Sequence, residues 1–415
     1  MTTANRSGQP QLSRTITLPL LTLYGLGTTV GAGIYVIIGE TAALSGYYLP
    51  VAFILAALIA SLSAASFAEL SVRYPVSAGE AVYIREGFGL RNISLLAGLA
   101  IATSGAVSSA TLLQGGVGYL KQIVSAPDML LFALLLAGLG AFAAWGVFKS
   151  LLLTGILTLV EIGGLVAVIV YAPADPVTMA ANAAALASRI DAGVIVGLTA
   201  SALLAFFAFI GFEDMVNVVE EVKAPSRTMP LAIGLTLVIT TIFYVWIALI
   251  AVNAVAPGAL AASDAPLAEI FGRLSGFDTG LFSVVALLAV INGVLIQLVM
   301  SSRILYGLAR QGQLPAILGQ VSKATRTPLV ATAVVCAAIL LIGSLFSLRG
   351  LAQTTSSLTL AALALVNLSL WRLKGGTSPA PGAFNIPRII PLLGFVTSGL
   401  LLIAELARRI TALFQ

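Results

Sequence analysis

The chain reads as an all-α integral membrane protein of about eleven transmembrane helices, arranged as a five-plus-five inverted repeat with helices 1 and 6 broken. Three observations predict this. Hydrophobic residues make up 59% of the 415 and charged residues 9%, whereas a soluble domain carries roughly 25% charge. The mean hydropathy is +1.06, and the apolar runs are long and continuous, unlike the alternating segments of about ten residues that build a membrane β-barrel. The first and sixth runs are interrupted at mid-span, one by glycines and the other by carboxylates.

Composition also excludes several chemistries. With no histidine, neither a histidine triad nor a histidine metal site nor a histidine pH switch is available. The single cysteine, Cys336, forms no internal disulfide and no cysteine cluster. A net charge of +5 is scattered along the chain, not clustered as a nucleic-acid patch requires. No cofactor motif is found, and nothing marks a partner protein. The expected partners are the lipid bilayer, a small solute and an ion.

Taken in order, residues 1–16 are a polar N-terminal segment. The apolar run after it is longer than a signal-peptide core and lacks a cleavage site, so it is read as a retained first helix. A span needs about 20 apolar residues, and this window finds segments at 17–44, 49–72, 93–119, 129–148, 150–171, 192–217, 230–255, 279–308, 328–347, 351–373 and 389–411. The first repeat is then 17–171 and the second 192–373, with 389–411 as an added span. A cytoplasmic N-terminus puts fifteen Lys and Arg inside and six outside, as the positive-inside rule asks. The expected location is a plasma membrane, with the compact loops pointing to a prokaryotic inner membrane.

Segment 1 contains Gly25, Gly27, Gly31 and Gly33; segment 6 runs Phe206–Gly211 into Glu213 and Asp214. Each glycine weakens a helix by about 1 kcal/mol relative to alanine. Interruptions in corresponding helices of two halves mark a transporter's binding site. Freed N–H groups at a helix start attract a carboxylate, and freed carbonyls attract an ammonium or small cation. A zwitterionic amino acid suits both. The plainer alternative is close helix packing through small residues, with even odds for Gly27 and Gly31 taken alone.

These residues resemble the amino acid–polyamine–organocation permeases. The resemblance is carried by Gly31-Ala32-Gly33-Ile34, by Phe67-Ala68-Glu69-Leu70 and Tyr74-Pro75, by Gly79-Glu80, Tyr83 and Glu86–Gly89, by Phe207–Glu213 through Glu220–Arg227, and by Ser302–Tyr306 with Gln311–Pro315. It covers segments 1 to 10 in order. Members usually have twelve helices and no twelfth is seen, but the five-plus-five core is complete. The resemblance implies a leucine-transporter-like fold that moves amino acids by alternating access. By position, the backbone of Gly31, Ala32 and Gly33 takes the substrate carboxylate. Carbonyls near Thr28, Thr29, Phe207 and Ile210, with Ala208 between the last two, take the amine. Phe207 is the aromatic lid; ordinary apolar filler is the alternative for any single phenylalanine.

Glu161, in mid-segment 5, is the most informative ionisable residue. A charge at the bilayer centre costs about 2.5–3.5 kcal/mol on insertion scales and usually serves ion or proton movement. Proton-coupled relatives often carry lysine here, and this chain departs from them. Glu161 with the carbonyls of Gly27 and Val30 and the hydroxyls of Ser301 and Ser302 could hold sodium; protonated, it replaces sodium. A structural helix contact is the alternative. Glu213 is a second ion-coupling candidate, with helix capping equally open, and Asp214 is read as capping. Glu69, Glu80, Glu220 and Glu221 are read as loop partners for Arg and Lys. Ser104, Ser108 and Asn292 are assigned to the side-chain pocket, and Gln114 and Gln297 to interhelical hydrogen bonds.

The expected function is therefore secondary transport of amino acids, with proton-coupled uptake of neutral substrates. Exchange for a related amine, sodium coupling, and a channel or scaffold remain as alternatives. An enzyme is not expected, and no cofactor or resident metal is expected beyond that sodium ion.

Overall fold

A computed structural model describes residues 14–76, 79–89, 91–145, 151–172, 191–310, 312–322, 325, 327–376 and 383–413. Most of the expected N-terminal segment, and Lys149, Arg189, Lys323 and Arg326 of the charge count, lie outside them.

Among the described residues, 8 helical stretches are long and apolar enough to cross a membrane. The first, Leu18–Arg73, turns at Gly46–Tyr48 and holds two crossings, and Gly155–Tyr171 and Leu329–Leu345 are shorter apolar helices. Together they account for the eleven expected segments of a multi-pass membrane protein. In chain order the helices are α1 (Leu18–Thr29), α2 (Gly31–Ser45), α3 (Leu49–Arg73), α4 (Gly79–Phe88), α5 (Arg91–Lys121), α6 (Asp128–Trp145) and α7 (Leu151–Tyr171). They continue as α8 (Ala192–Phe206), α9 (Pro225–Ala254), α10 (Pro257–Ala262), α11 (Pro266–Ser275), α12 (Thr279–Arg310), α13 (Leu329–Leu345), α14 (Leu348–Leu373) and α15 (Ile389–Leu413). No strand occurs among the described residues; Ile16 and Val222 form one isolated parallel bridge.

Two expected loops fold further than the sequence reading allowed. Residues 73–91 hold α4, and residues 256–278 hold α10 and α11. Proline at the first turn of α10 and of α11 removes an N–H that would be unpaired there anyway. Ala265, Leu267, Ala268, Ile270 and Phe271 of this stretch are buried in the core.

Both broken helices are present. The second is sharp. Two 3₁₀ turns, Phe207–Phe209 and Phe212–Glu221, flank Ile210, which is extended at ψ 132°, and Gly211 at φ 127°. That φ is open only to glycine, and a Cβ on Gly211 would land on the Thr28 carbonyl oxygen. The first break is slighter than expected. Gly31–Gly33 are not unwound; they are the first turn of α2, and the discontinuity is the single residue Val30 at φ −66° and ψ −37°. Val30 N still donates to Leu26 O at 2.6 Å. Glycines lower the cost of leaving a helix without requiring it, so α2 restarts at once.

One end of the bundle is tied by a buried carboxylate. Glu69 of α3 is 0% exposed. It bonds Arg73 at 2.6 Å, Lys374 at 2.8 Å and the backbone N–H of Ile386 at 2.8 Å. The loop-partner reading of Glu69 is thus met by a hub that joins α3, the end of α14 and the approach to α15. At the same end, Ile16 N donates to Glu221 O and Lys223 N to Ile16 O, closing the chain ahead of α1 over the sixth span. Removing one member of such a buried pair leaves an uncompensated charge and typically costs about 3–5 kcal/mol. Glu69→Gln is expected to lower the thermal midpoint in detergent strongly, while Glu86→Gln, an exposed neighbour, leaves it unchanged.

Candidate functional site

The two breaks face one another. A Cβ on Gly33 would stand 2.8 Å from the Ala208 Cα, so only glycine lets α2 approach the sixth span this closely. Gly27 likewise admits the Thr158 hydroxyl from α7, and Gly25 admits Met215 and Thr236. These glycines therefore serve close packing and the break together.

Between the breaks lies a cavity of about 30 Å³ lined by Thr28, Thr29, Gly31, Ala32, Gly33, Ser108, Leu112, Phe207, Ala208, Ile210, Gly293, Ile296 and Gln297. It holds about two waters. Gly31, Ala32 and Gly33 form the first turn of α2, the turn whose N–H groups a helix does not itself satisfy. They are the anion-seeking end of that helix. The Thr29 hydroxyl is buried with no partner among the described residues.

Two residues assigned to the pocket are elsewhere. Ser104 bonds the Thr359 hydroxyl at 2.8 Å, which ties α5 to α14. Asn292 is turned to Glu161, with Nδ2 donating to Oε1 at 2.9 Å. Conversely Gln297, read as an interhelical bond, lines the cavity together with Gly293. Gln114 does bond between helices, donating to the carbonyls of Gly343 and Phe346.

The sodium grouping is not assembled as drawn. Glu161 meets Asn292, while Ser301 and Ser302 lie nine and ten residues further along the continuous helix α12, about 14–15 Å at 1.5 Å per residue. Ser302 bonds the Val299 carbonyl, and the Ser301 hydroxyl packs on Gly105. The Val30 carbonyl accepts from Tyr244, not from Glu161.

Tyr244 is the residue that sequence reading passed over. Its hydroxyl, from α9, lies 2.8 Å from Thr29 O, 3.1 Å from Val30 O and 2.8 Å from Ala208 O. Three carbonyls beside the two breaks thus surround one O–H, and its ring packs edge-on against Phe53 and Phe209. The available signal was a phenol inside an apolar span, since a buried tyrosine hydroxyl needs a partner.

On the Glu69 side, Glu213 folds back so that its carboxylate accepts from Gly211 N at 2.9 Å. This is a cap on the break itself. Glu80, read as a partner for Arg or Lys, instead lies in the field of Glu213 and Asp214. Burial first, and those two carboxylates second, hold its carboxyl well above the usual carboxylate range. At the other end a vestibule of about 440 Å³ opens among Tyr35, Val36, Glu40, Gln114, Tyr119, Lys121, Asp128 and Asp264. Ala32 lines the cavity and Tyr35 the vestibule, so about one turn of α2 separates them. At this end Arg349 bonds Glu40 at 2.6 Å, linking α14 to α2.

Comparison with known proteins shows the family. A family model described as amino acid permease matches residues 18–407. A cationic amino acid transporter of Arabidopsis thaliana is 29% identical over 87% of this chain and 62% of its own length. A branched-chain amino acid permease of Bacillus subtilis is 28% identical over 93% of this chain and 86% of its own. A methylthioribose transporter of Bacillus subtilis is 26% identical over 97% and 90%. The chain spans about three-fifths of the length of the plant relatives it matches.

Four outcomes follow from this geometry. A Cβ on Gly31 meets nothing within 4 Å, so Gly31→Ala is expected to leave the thermal midpoint intact and weaken substrate binding. Gly33→Ala forces α2 off Ala208 and is expected to lower both; binding isotherms beside melting curves separate the two. Tyr244→Phe keeps the ring and loses the hydroxyl; a net hydrogen bond is worth about 1 kcal/mol, so a small loss of stability with a larger loss of binding is expected. For Glu80 the sign follows from its raised folded-state value. The favourable, protonated form is fully present below about pH 4.3 and is lost as pH rises through the higher folded value. The thermal midpoint is expected to fall over that rise, and Glu80→Gln to flatten the fall.

Proposed function

Because the chain belongs to the amino acid permease family, we propose that it is a secondary transporter of amino acids working by alternating access, with two inverted repeats, 17–171 and 192–373, moving about one central site. The observation that carries this reading is the cavity between the two breaks. The N–H groups of Gly31, Ala32 and Gly33 receive the substrate carboxylate. Carbonyls beside Thr28, Thr29, Phe207 and Ile210 receive its ammonium, and the Thr29 hydroxyl adds a polar contact. Helix-end charges of opposite sign thus meet the two ends of a zwitterion.

The side-chain end of the substrate faces Leu112, Phe207, Ile210 and Ile296, with Ser108 and Gln297 as polar contacts. No charged residue is in that lining. A cationic side chain would be desolvated there without a counter-ion, at a cost that burial of charge always carries. This supports neutral substrates, although some relatives are named for cationic ones.

Glu161 carries the coupling ion, a proton. It is buried in α7, the only hydrogen-bond partner of its carboxyl group among the described residues is the Asn292 amide, and no Lys or Arg among them pairs with it. Charge counting puts the N-terminus and Glu69 in the cytoplasm. The vestibule is then extracellular and the Ile16–Val222 closure seals the inner side. The membrane is a plasma membrane, of prokaryotic type.

Proteoliposomes test this. Uptake of a labelled neutral amino acid is expected to rise with an inward proton gradient and to ignore external sodium. A panel of unlabelled competitors names the preferred side chain. Glu161→Gln is expected to keep exchange and lose pH-driven accumulation; accumulation that persists would transfer the role to Glu213. Uptake that demands internal substrate would make the protein an exchanger.

A further inference from the structure

The Glu161–Asn292 contact has an uneven hydrogen-bond pattern. Asn292 Nδ2 donates to Glu161 Oε1 at 2.9 Å. The other two oxygens of the pair, Glu161 Oε2 and Asn292 Oδ1, are both buried and both lack a partner among the described residues. Both residues are 0% exposed. An amide oxygen only accepts, and an ionised carboxylate only accepts. As a carboxylate–amide pair, this contact therefore leaves two acceptors unpaired in a dry interior, where an unmade hydrogen bond is costly.

A single proton resolves both. A carboxylic acid and a primary amide are complementary, N–H to C=O on one side and O–H to C=O on the other. We propose that Glu161 and Asn292 together are the proton site, with the proton on Glu161 Oε2 donated to Asn292 Oδ1. The proposal rests on the proton-coupled reading above and names the second residue of that site. Loading is a proton transfer from hydronium: an Oε2–H bond forms, a hydronium O–H bond breaks, and water is left behind. Unloading returns the proton to water.

The surroundings favour this pair over a charge-paired one. The ionisable groups facing Glu161 are phenols: Tyr35 from α2, with Tyr119 behind it, and Tyr244 from α9. Tyr35 donates to the Glu161 backbone carbonyl at 2.5 Å and accepts from Tyr119 at its own carbonyl at 2.6 Å. Both phenols also line the vestibule, so the Tyr35 side chain stands between it and the Glu161 backbone. Protonation also has a mechanical reading. Loaded, α7 and α12 are joined by two bonds; unloaded, by one. Since Thr158, one turn before Glu161, packs on Gly27 of α1, a shift of α7 is passed to the first broken helix.

Infrared difference spectroscopy on the full chain in lipid, between acid and alkaline pH, reads the site directly. Acidification is expected to raise several carboxylic-acid carbonyl bands, Glu80 contributing one, and the one band that is lost in Glu161→Gln is that of Glu161. In Asn292→Leu the band is expected to move to higher frequency, as for an acid with no amide partner, with pH-driven accumulation lost and exchange kept. If Asn292→Leu fails to insert, Asn292→Asp keeps the size and replaces the amide by a second acid, and two coupled carboxyl bands are expected. A Glu161 band unaltered in frequency in whichever Asn292 variant folds overturns the proposal and leaves the coupling role of Glu161 standing. If Glu161→Gln removes no band, the coupling role is overturned as well.

Discussion

Backbone polarity in a medium without water governs this molecule. A peptide group at membrane depth must find its partner inside the protein, and among the described spans the helical ladder that answers this requirement is interrupted next to Val30 and at Ile210–Gly211. Around these two points the protein gathers its least ordinary contacts. Tyr244 reaches three carbonyls, Glu213 bends back to Gly211 N, and Gly33 and Gly211 keep the two breaks in touch. The N–H groups opening α2 are left to a small cavity. Removing the breaks would remove the reason for each of these residues.

Buried carboxylates in the same bundle are treated in two ways. Glu69 receives two cations and a backbone N–H and is fully matched. That arrangement suits a joint, because breaking it is expensive and nothing about it is poised to change. Glu161 receives one amide N–H and keeps one oxygen without a donor. An incompletely matched acid is a poor fastening and a good carrier, since the gain or loss of one proton changes its hydrogen bonding completely.

How much was legible in the sequence follows from the range of each signal. Hydropathy is a property of one segment at a time, and the eleven segments were readable at that level. Glycine clusters and the Glu213–Asp214 pair located both breaks to within a few residues. The depth of a break was not readable, because glycine permits a helix as well as an exit from one, and α2 resumes immediately after Val30. Azimuth around a helix was the weaker inference. Ser104 and Asn292 are mid-span polar residues like Ser108, but Ser104 faces α14 and Asn292 faces α7. Gln297 was set aside although it lines the cavity. Tyr244 was missed because its importance lies in carbonyls more than thirty residues away in sequence, on two different segments.

The cavity's size bears on how such a site works. About 30 Å³ accepts about two waters, less than an amino acid displaces, so loading must separate Phe207 and Ile210 from the α2 turn. Those residues sit on the sixth span beside its sharp break, where 3₁₀ turns and one extended residue already replace the helical ladder. The first break, by contrast, is a single helical residue. The two halves of the site therefore differ in stiffness. On the proposed assignment, the carboxylate end is set by a helix turn held against Ala208, and the side-chain end by a segment with few ladder bonds to lose. A site with one fixed end and one yielding end keeps its recognition of the amino-acid backbone while the side-chain pocket adapts, which is the division of labour a family of related permeases needs.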